Sequence, residues 1–267
     1  MFNYITSFFE DPKAMLMFIL LALPGRMLAI SAHEYAHAYV ADKCGDPTAR
    51  MLGRLTLNPF KHLDLIGTIM MLVLGFGWAK PVPINPRNYR NPRRDDLKVS
   101  LAGVIMNLIM AVIGFVLMGV MLAVALNIGK GEFYTARYMG ENVLANSMYY
   151  CHLKDIFYAS DMIIVSSMGR LAGYAYEMIL YFTLTNIILA VFNMIPLPPL
   201  DGYHVINDLL IKRPLFASYK AARIATGAMF VLMITGLLGR GLGFVQEAVF
   251  SGMGTIFARL FDLIGLL

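Results

Sequence analysis

The chain has 267 residues, of which 58% are hydrophobic and only 15% charged, and its mean hydropathy is +0.65. Soluble domains carry about 25% charged residues, and this chain adds several apolar runs long enough to cross ~30 Å of hydrocarbon; an ordinary cytosolic enzyme, a disulfide-stapled secreted domain and a disordered regulator are therefore excluded. The balance of 22 Lys+Arg against 17 Asp+Glu, a net of +5, fits cytoplasmic loops facing anionic headgroups, and no basic run is interleaved with aromatics as nucleic-acid binding would require.

In chain order, Glu10 and Asp11 stand where a signal peptide needs positive charge, so the N-terminus reads as a retained anchor. The first apolar run, 14–32, continues as a helical pattern through His33-Glu34-Tyr35-Ala36-His37 to about Ala41. Pro24, Gly25 and Arg26 interrupt it and predict a kink or a wet site. Arg54-Leu55-Thr56-Leu57 alternates as an extended segment does. The Gly-rich run 65–79 is too short to cross and suits a re-entrant hairpin. Pro81-Val82-Pro83-Ile84-Asn85-Pro86 carries prolines at every other position, tolerable only on an edge strand or polyproline-like segment. Apolar runs follow at Val99 to about Leu126, 173–195 and 224–239. The last, 243–267, reads either as a span or as an interfacial helix, because it holds Glu247, Arg259 and Asp262. Cys44 and Cys151 fall on opposite sides of the bilayer and read as two isolated thiols.

The pattern predicts an all-α polytopic membrane protein of about four to six transmembrane helices with a small cytoplasmic-side β/re-entrant element. It is expected to form a single membrane-embedded unit over 1–267, with a core over about 14–212 and C-terminal helices over about 222–267. Orientation follows from short-loop Lys and Arg. The segment from Asp42 to Lys98 holds ten, and the 200–223 loop adds Lys212, Arg213, Lys220 and Arg223. The 130–172 loop has four, diluted by Glu132, Glu141, Asp155 and Asp161. The first two segments are thus expected in the cytoplasm and the third outside.

His33-Glu34-x-x-His37 carries the chemistry. On a helix, positions four apart differ by about 40° of rotation, so both imidazoles reach one metal ion from adjacent turns. Glu34 lies about 100° around from His33 and can reach a water in the open coordination position of a catalytic zinc. A carboxylate and two imidazoles within a membrane-spanning run are costly unless they share a polar cavity. A third ligand is needed, and His62, Asp64, His152, Asp201 and His204 are the candidates. Asp201 is preferred: it follows a helix ended by Pro196-Leu197-Pro198-Pro199, on the same side of the membrane as the two histidines. The competing reading makes it a helix N-cap ahead of His204.

His33-Glu34-x-x-His37, Asn58-Pro59-Phe60-Lys61-His62-Leu63-Asp64-x-x-Gly67 and Asn193-x-x-Pro196-x-Pro198-x-Leu200-Asp201-Gly202 together resemble the site-2 protease family of intramembrane zinc metalloproteases. Gly77-Trp78-Ala79-Lys80-Pro81-Val82-Pro83 is similar to the compact branch, in which no PDZ domain is present. The 130–172 loop is itself too short for one.

The resemblance implies Zn2+ bound by His33, His37 and Asp201, with Glu34 as the base. It also implies that Asn193, and Asn107 in the Gly103 motif, hold the substrate strand or the developing oxyanion, while interhelical packing is the competing reading of Asn107. The family usually has Gly-Pro where this chain has Gly103-Val104; a proline there would shape a helix start. His62 and Asp64 match the family block and are read as loop-fixing or supporting residues. The unwound substrate is expected to add to an edge carried by Val82 and Ile84.

The implied activity is zinc endopeptidase cleavage in or near the transmembrane segment of a membrane-anchored protein, such as an anti-sigma-factor-like regulator, within a prokaryotic inner or plasma membrane and with the active site toward the cytoplasm. The alternative is a zinc-binding membrane transporter or sensor. Such a protein would be expected to place ionisable residues deep in several spans, and 99–126 and 178–195 contain none.

Overall fold

A computed structural model describes residues 9–74, 77–128, 164–165, 167–211, 216 and 218–263. The 130–163 part of the 130–172 loop, with Cys151, His152 and its aromatic residues, lies outside the described residues.

The long helices are α1 (Pro12–Cys44), α4 (Pro92–Ile128) and α5 (Arg170–Asn193). All three are long and apolar enough to cross a membrane. Between them lie α2 (Thr48–Met51) and α3 (Leu65–Leu74); after them come α6 (Asp201–Ile206), α7 (Tyr219–Ile234) and α8 (Leu237–Leu263). The last two are bent by 77° and count as a fourth crossing if they form one span. The protein is thus an all-α polytopic membrane protein.

Packing follows from the side chains. Helix α1 presents Ala22, Gly25, Ala29, Ala32 and Ala36 on one buried face, and small residues at this spacing let helices approach closely where no hydrophobic force distinguishes neighbour from lipid. Helices α4 and α5 pack on it and on each other. On α4, Ala111, Phe115, Met118 and Ala125 face inward, while Ile105, Leu108, Ile109, Val112, Val116 and Val120 are exposed along the opposite stripe, where they meet lipid. Pro24 lies inside α1, whose helix continues through it.

The two ends of the 65–79 run come together around α3. Asp64 starts α3, its carboxylate accepting the Gly67 N–H at 2.8 Å and its carbonyl the Thr68 N–H at 2.8 Å. The returning chain makes one antiparallel bridge, Leu63 to Ala79, and Lys80 N–H donates to the His62 carbonyl at 2.8 Å. No strand forms at 54–57: among the described residues this bridge is the extent of β pairing. The alternating pattern there has another cause, since Arg54 turns inward to carbonyls of 80–81 and buried His62 places Nε2 2.7 Å from the Thr56 carbonyl.

The 80–91 segment is fastened to the end of α1. Asp46 is fully buried, and its carboxylate accepts from the Asn85 N–H at 2.7 Å, the Asn88 side-chain amide at 2.8 Å, and the Thr48 N–H and hydroxyl. Burial alone would raise this carboxyl, but these donors more than offset it and hold it below the usual carboxylate range.

Candidate metal centre

His33 and His37 lie one turn apart on the buried face of α1, each about 7% exposed. Their Nε2 atoms face one another at 3.0 Å, and Asp201 Oδ2 lies 3.3 Å from each. The His37 ring is aimed by its other nitrogen: Nδ1 lies 2.7 Å from the Val99 carbonyl on α4. A carbonyl only accepts, so Nδ1 is a donor there and Nε2 is the nitrogen turned toward Asp201 and available to a metal. Asp201 is the first residue of α6, whose N-cap is Leu200, and its carboxylate points at the histidines instead of capping the helix. Burial would raise that carboxyl, but its contacts with the two imidazoles hold it well below the usual carboxylate range. It therefore stays an anion, as a metal ligand must.

The triangle of 3.0, 3.3 and 3.3 Å suits a single small cation. Tetrahedral zinc with bonds of about 2.0–2.1 Å needs ligand atoms about 3.3 Å apart. Three ligands also leave the fourth position open, as a catalytic site requires. The His33–His37–Asp201 group is the one set of three potential ligands converging among the described residues.

Close backbone approach makes this arrangement possible. A Cβ on Gly103 of α4 would lie 2.5 Å from both His33 Cε1 and His37 Nε2, so only glycine lets α4 pass the two rings. A Cβ on Gly202 would meet the Met194 carbonyl at 2.4 Å, which fixes α6 tightly against the end of α5. The Gly103-Val104 pair lies far inside α4, with Val104 buried, and starts no helix; a proline at 104 is therefore not needed for the turn it was expected to shape.

The remaining sequence candidates separate into groups. Glu34, half-buried, has its Oε2 2.8 Å from the Val82 N–H. Val82 is thus already engaged through its backbone, and its side chain packs with Ala38 and Ala49 beside Ile84. Asn107 is fully buried one turn beyond Gly103, and neither end of its amide has a partner among the described residues. Asn193 sits at the end of α5, its amide donating to Leu189 O at 3.0 Å. His62 and Asp64 hold the hairpin and lie outside the ligand cluster. His204 also lies outside it. Its Nδ1 is 3.1 Å from Asp96 Oδ2, a contact that raises its pKa above the ordinary histidine value. Asp208 nearby is pushed up to about 6 by burial and by the Asp96 charge. Sequence reasoning missed Arg54 and Asp46, both buried; in the sequence they stand among Asp42, Lys43 and Arg50, and nothing there separates them from surface charges.

The chain matches Peptidase family M50 over residues 20–234. It belongs to that family. The chain is 38% identical over 203 residues, 76% of its own length and 74% of the relative's, to the Bacillus subtilis (strain 168) protein named "Putative zinc metalloprotease YwhC". It is 31% identical over 99 residues, 35% of its length and 38% of the relative's, to "Putative zinc metalloprotease Rip2" of Mycolicibacterium smegmatis. No solved structure matches it. This M50 chain, a member of the site-2 protease family, is thus a multi-pass membrane protein of a metalloprotease family that uses Zn2+.

Proposed function

We propose that this M50 chain is an intramembrane endopeptidase that hydrolyses a peptide bond in or near the transmembrane segment of membrane-anchored proteins. One observation carries the reading: two imidazole nitrogens and a carboxylate oxygen converge within 3.0–3.3 Å of one another beside the membrane-spanning helix that also bears Glu34. His33, His37 and Asp201 hold the zinc ion. Bound there, zinc supplies Lewis-acid polarisation of a carbonyl and acidifies water.

Glu34 accepts the proton of the attacking water and returns it to the leaving amine. Asn107 and Asn193 supply amide donors to the substrate strand or to the developing oxyanion. Both polar atoms of the Asn107 side-chain amide, Nδ2 and Oδ1, lack partners among the described residues, which supports a ligand-facing role. A helical substrate hides its carbonyls in its own hydrogen bonds, so a cleavable segment must unwind. We place the unwound strand along the 82–84 segment. The Val82 N–H is held by Glu34, so pairing would use Ile84.

The Lys and Arg bias of 42–98 and 200–223 supports a site facing the cytoplasm, and the membrane we propose is a prokaryotic inner or plasma membrane. An anti-sigma-factor-like regulator, already trimmed outside the membrane, fits regulated intramembrane proteolysis.

The test is zinc content and cleavage of a single-span reporter peptide in lipid vesicles, wild type against Glu34→Gln. The variant should keep about one zinc per chain and lose roughly 10²–10⁴-fold in turnover. Unchanged turnover contradicts the assignment.

A further inference from the structure

Arg54 is a buried guanidinium, about 9% exposed, and among the described residues it forms no ion pair. Buried arginines are rare without a partner, because the desolvation cost must be offset. Its Nη2 donates instead to two carbonyls, Lys80 at 2.7 Å and Pro81 at 3.2 Å. Glu34 is also without an ion pair among the described residues, and its Oε2 takes the Val82 N–H at 2.8 Å.

The Pro81 carbonyl and the Val82 N–H belong to one peptide group. That group therefore lies between a cation and an anion, its carbonyl toward the guanidinium and its N–H toward the carboxylate. A peptide dipole of about 3.5 D in this orientation is favourable at both ends. Hydrogen bonds in a chain polarise one another, so the guanidinium makes Val82 N–H a stronger donor to Glu34.

The flanking sequence narrows the arrangement further. Pro81 and Pro83 have no N–H, which leaves Val82 as the only main-chain donor of the three residues. The residue before a proline is also confined to extended conformations. The segment thus offers Glu34 one donor at one place. Asp46 pins the following residues through Asn85 and Asn88.

We infer that Arg54 is a positioning residue for the catalytic base, acting through the Pro81–Val82 peptide group to fix which carboxylate oxygen of Glu34 is held and which is free to take a proton. The inference rests on the protease reading for its catalytic consequence and on hydrogen bonding alone for its geometry. Arg54 touches neither metal nor substrate in this account.

Two measurements on the full-length, zinc-loaded protein in vesicles test it. The first is amide hydrogen exchange over 80–84, where Val82 is the single exchangeable site between two prolines. Arg54→Gln should speed its exchange about 10-fold or more, as should Glu34→Ala, whereas Glu34→Gln, which keeps an acceptor oxygen, should slow it relative to Glu34→Ala. The second is a kinetic cycle with the single-span reporter peptide. Arg54→Gln should lower kcat roughly 10–100-fold with KM within about 3-fold and zinc still bound, and Arg54→Lys should restore part of the loss. Val82→Pro, which deletes the N–H, should lose more than Val82→Ala. Combined with Arg54→Gln it should lose no more than the worse single variant.

Unchanged Val82 exchange in Arg54→Gln, losses that multiply in the double variant, or a loss confined to KM would each overturn the inference. Zinc loss in both Arg54→Gln and Arg54→Lys would overturn it in favour of a folding role. If wild type with zinc bound leaves the peptide whole, the protease reading fails, and the exchange rates still decide the relay.

Discussion

The histidine side and the aspartate side of the candidate metal centre are built differently. His33 and His37 sit on one helical turn of a 33-residue helix covered by α4 and α5, and one ring is aimed by the Val99 carbonyl. Asp201 sits on a six-residue helix after a proline-rich turn. That helix is held by the apolar anchors Leu200 and Val205, by the half-exposed His204–Asp96 contact, and through Thr226, whose hydroxyl donates to Pro198 O at 2.9 Å. The difference teaches that two of the proposed ligands are preorganised by a rigid element, while the third is delivered by a segment with its own supports. Damage to the first side should abolish the site; damage to the second should weaken it.

Gly103→Ala probes the rigid side. Its Cβ has no room beside the two imidazoles, and because α4 and α1 are both long packed helices, the rings must give way. Zinc content and cleavage should both fall to background, measured by metal analysis and peptide cleavage on the same preparation. Gly202→Ala probes the aspartate side. It forces α6 away from the Met194 carbonyl and should weaken zinc binding by about 10–100-fold, the range typical of disturbed ligand support, as measured by chelator competition. If Gly202→Ala proves as damaging as Gly103→Ala, the distinction between the two sides fails.

The supports themselves have smaller effects. Asp46→Ala leaves the Asn85, Asn88 and Thr48 donors unsatisfied and should cost about 1–3 kcal/mol, read as a lower thermal midpoint. Its pKa is lowered in the fold. Its contribution is therefore fully present above the ordinary carboxylate value of about 3.9 and is lost as pH falls through the lower folded value; the Ala variant should lack that acid limb. The smallest effect is expected from Asp96→Asn. The raised pKa of His204 means its contact stabilises below about 6.5 and fades as pH rises through the folded value. The substitution should change zinc affinity no more than about 3-fold, the scale of an exposed ion pair, and only on the acid side of that window.

Much of this site was legible in the sequence because its information is local. The spacing of His33, Glu34 and His37 fixes their geometry on any helix, and a run of prolines ahead of Asp201 marks a helix end in an apolar region. The long spans were legible from hydropathy for the same reason, although α7 and α8 divide their apolar run with a sharp bend. Arg54, Asp46 and Gly103 were not legible in role. Their significance lies in contacts with residues 80–88, with His33 and with His37, which depend on how the loops return and not on any spacing along the chain. Alternation at 54–57 even pointed elsewhere, since a clamp that turns one side chain inward and leaves the next outward has the same period as a strand. Val82 shows the converse: the prolines around it marked an unusual segment, and the tertiary structure added that its N–H is held by Glu34.

The central claim is that one zinc ion is held jointly by the two sides, and zinc K-edge X-ray absorption of the purified full-length protein tests it most directly. Wild type should show two imidazole nitrogens and a carboxylate oxygen at about 2.0–2.2 Å, and Asp201→Ala should lose the carboxylate contribution while imidazole scattering persists in whatever zinc remains. A wild-type spectrum without imidazole scattering, or one left unchanged by Asp201→Ala, would contradict the account.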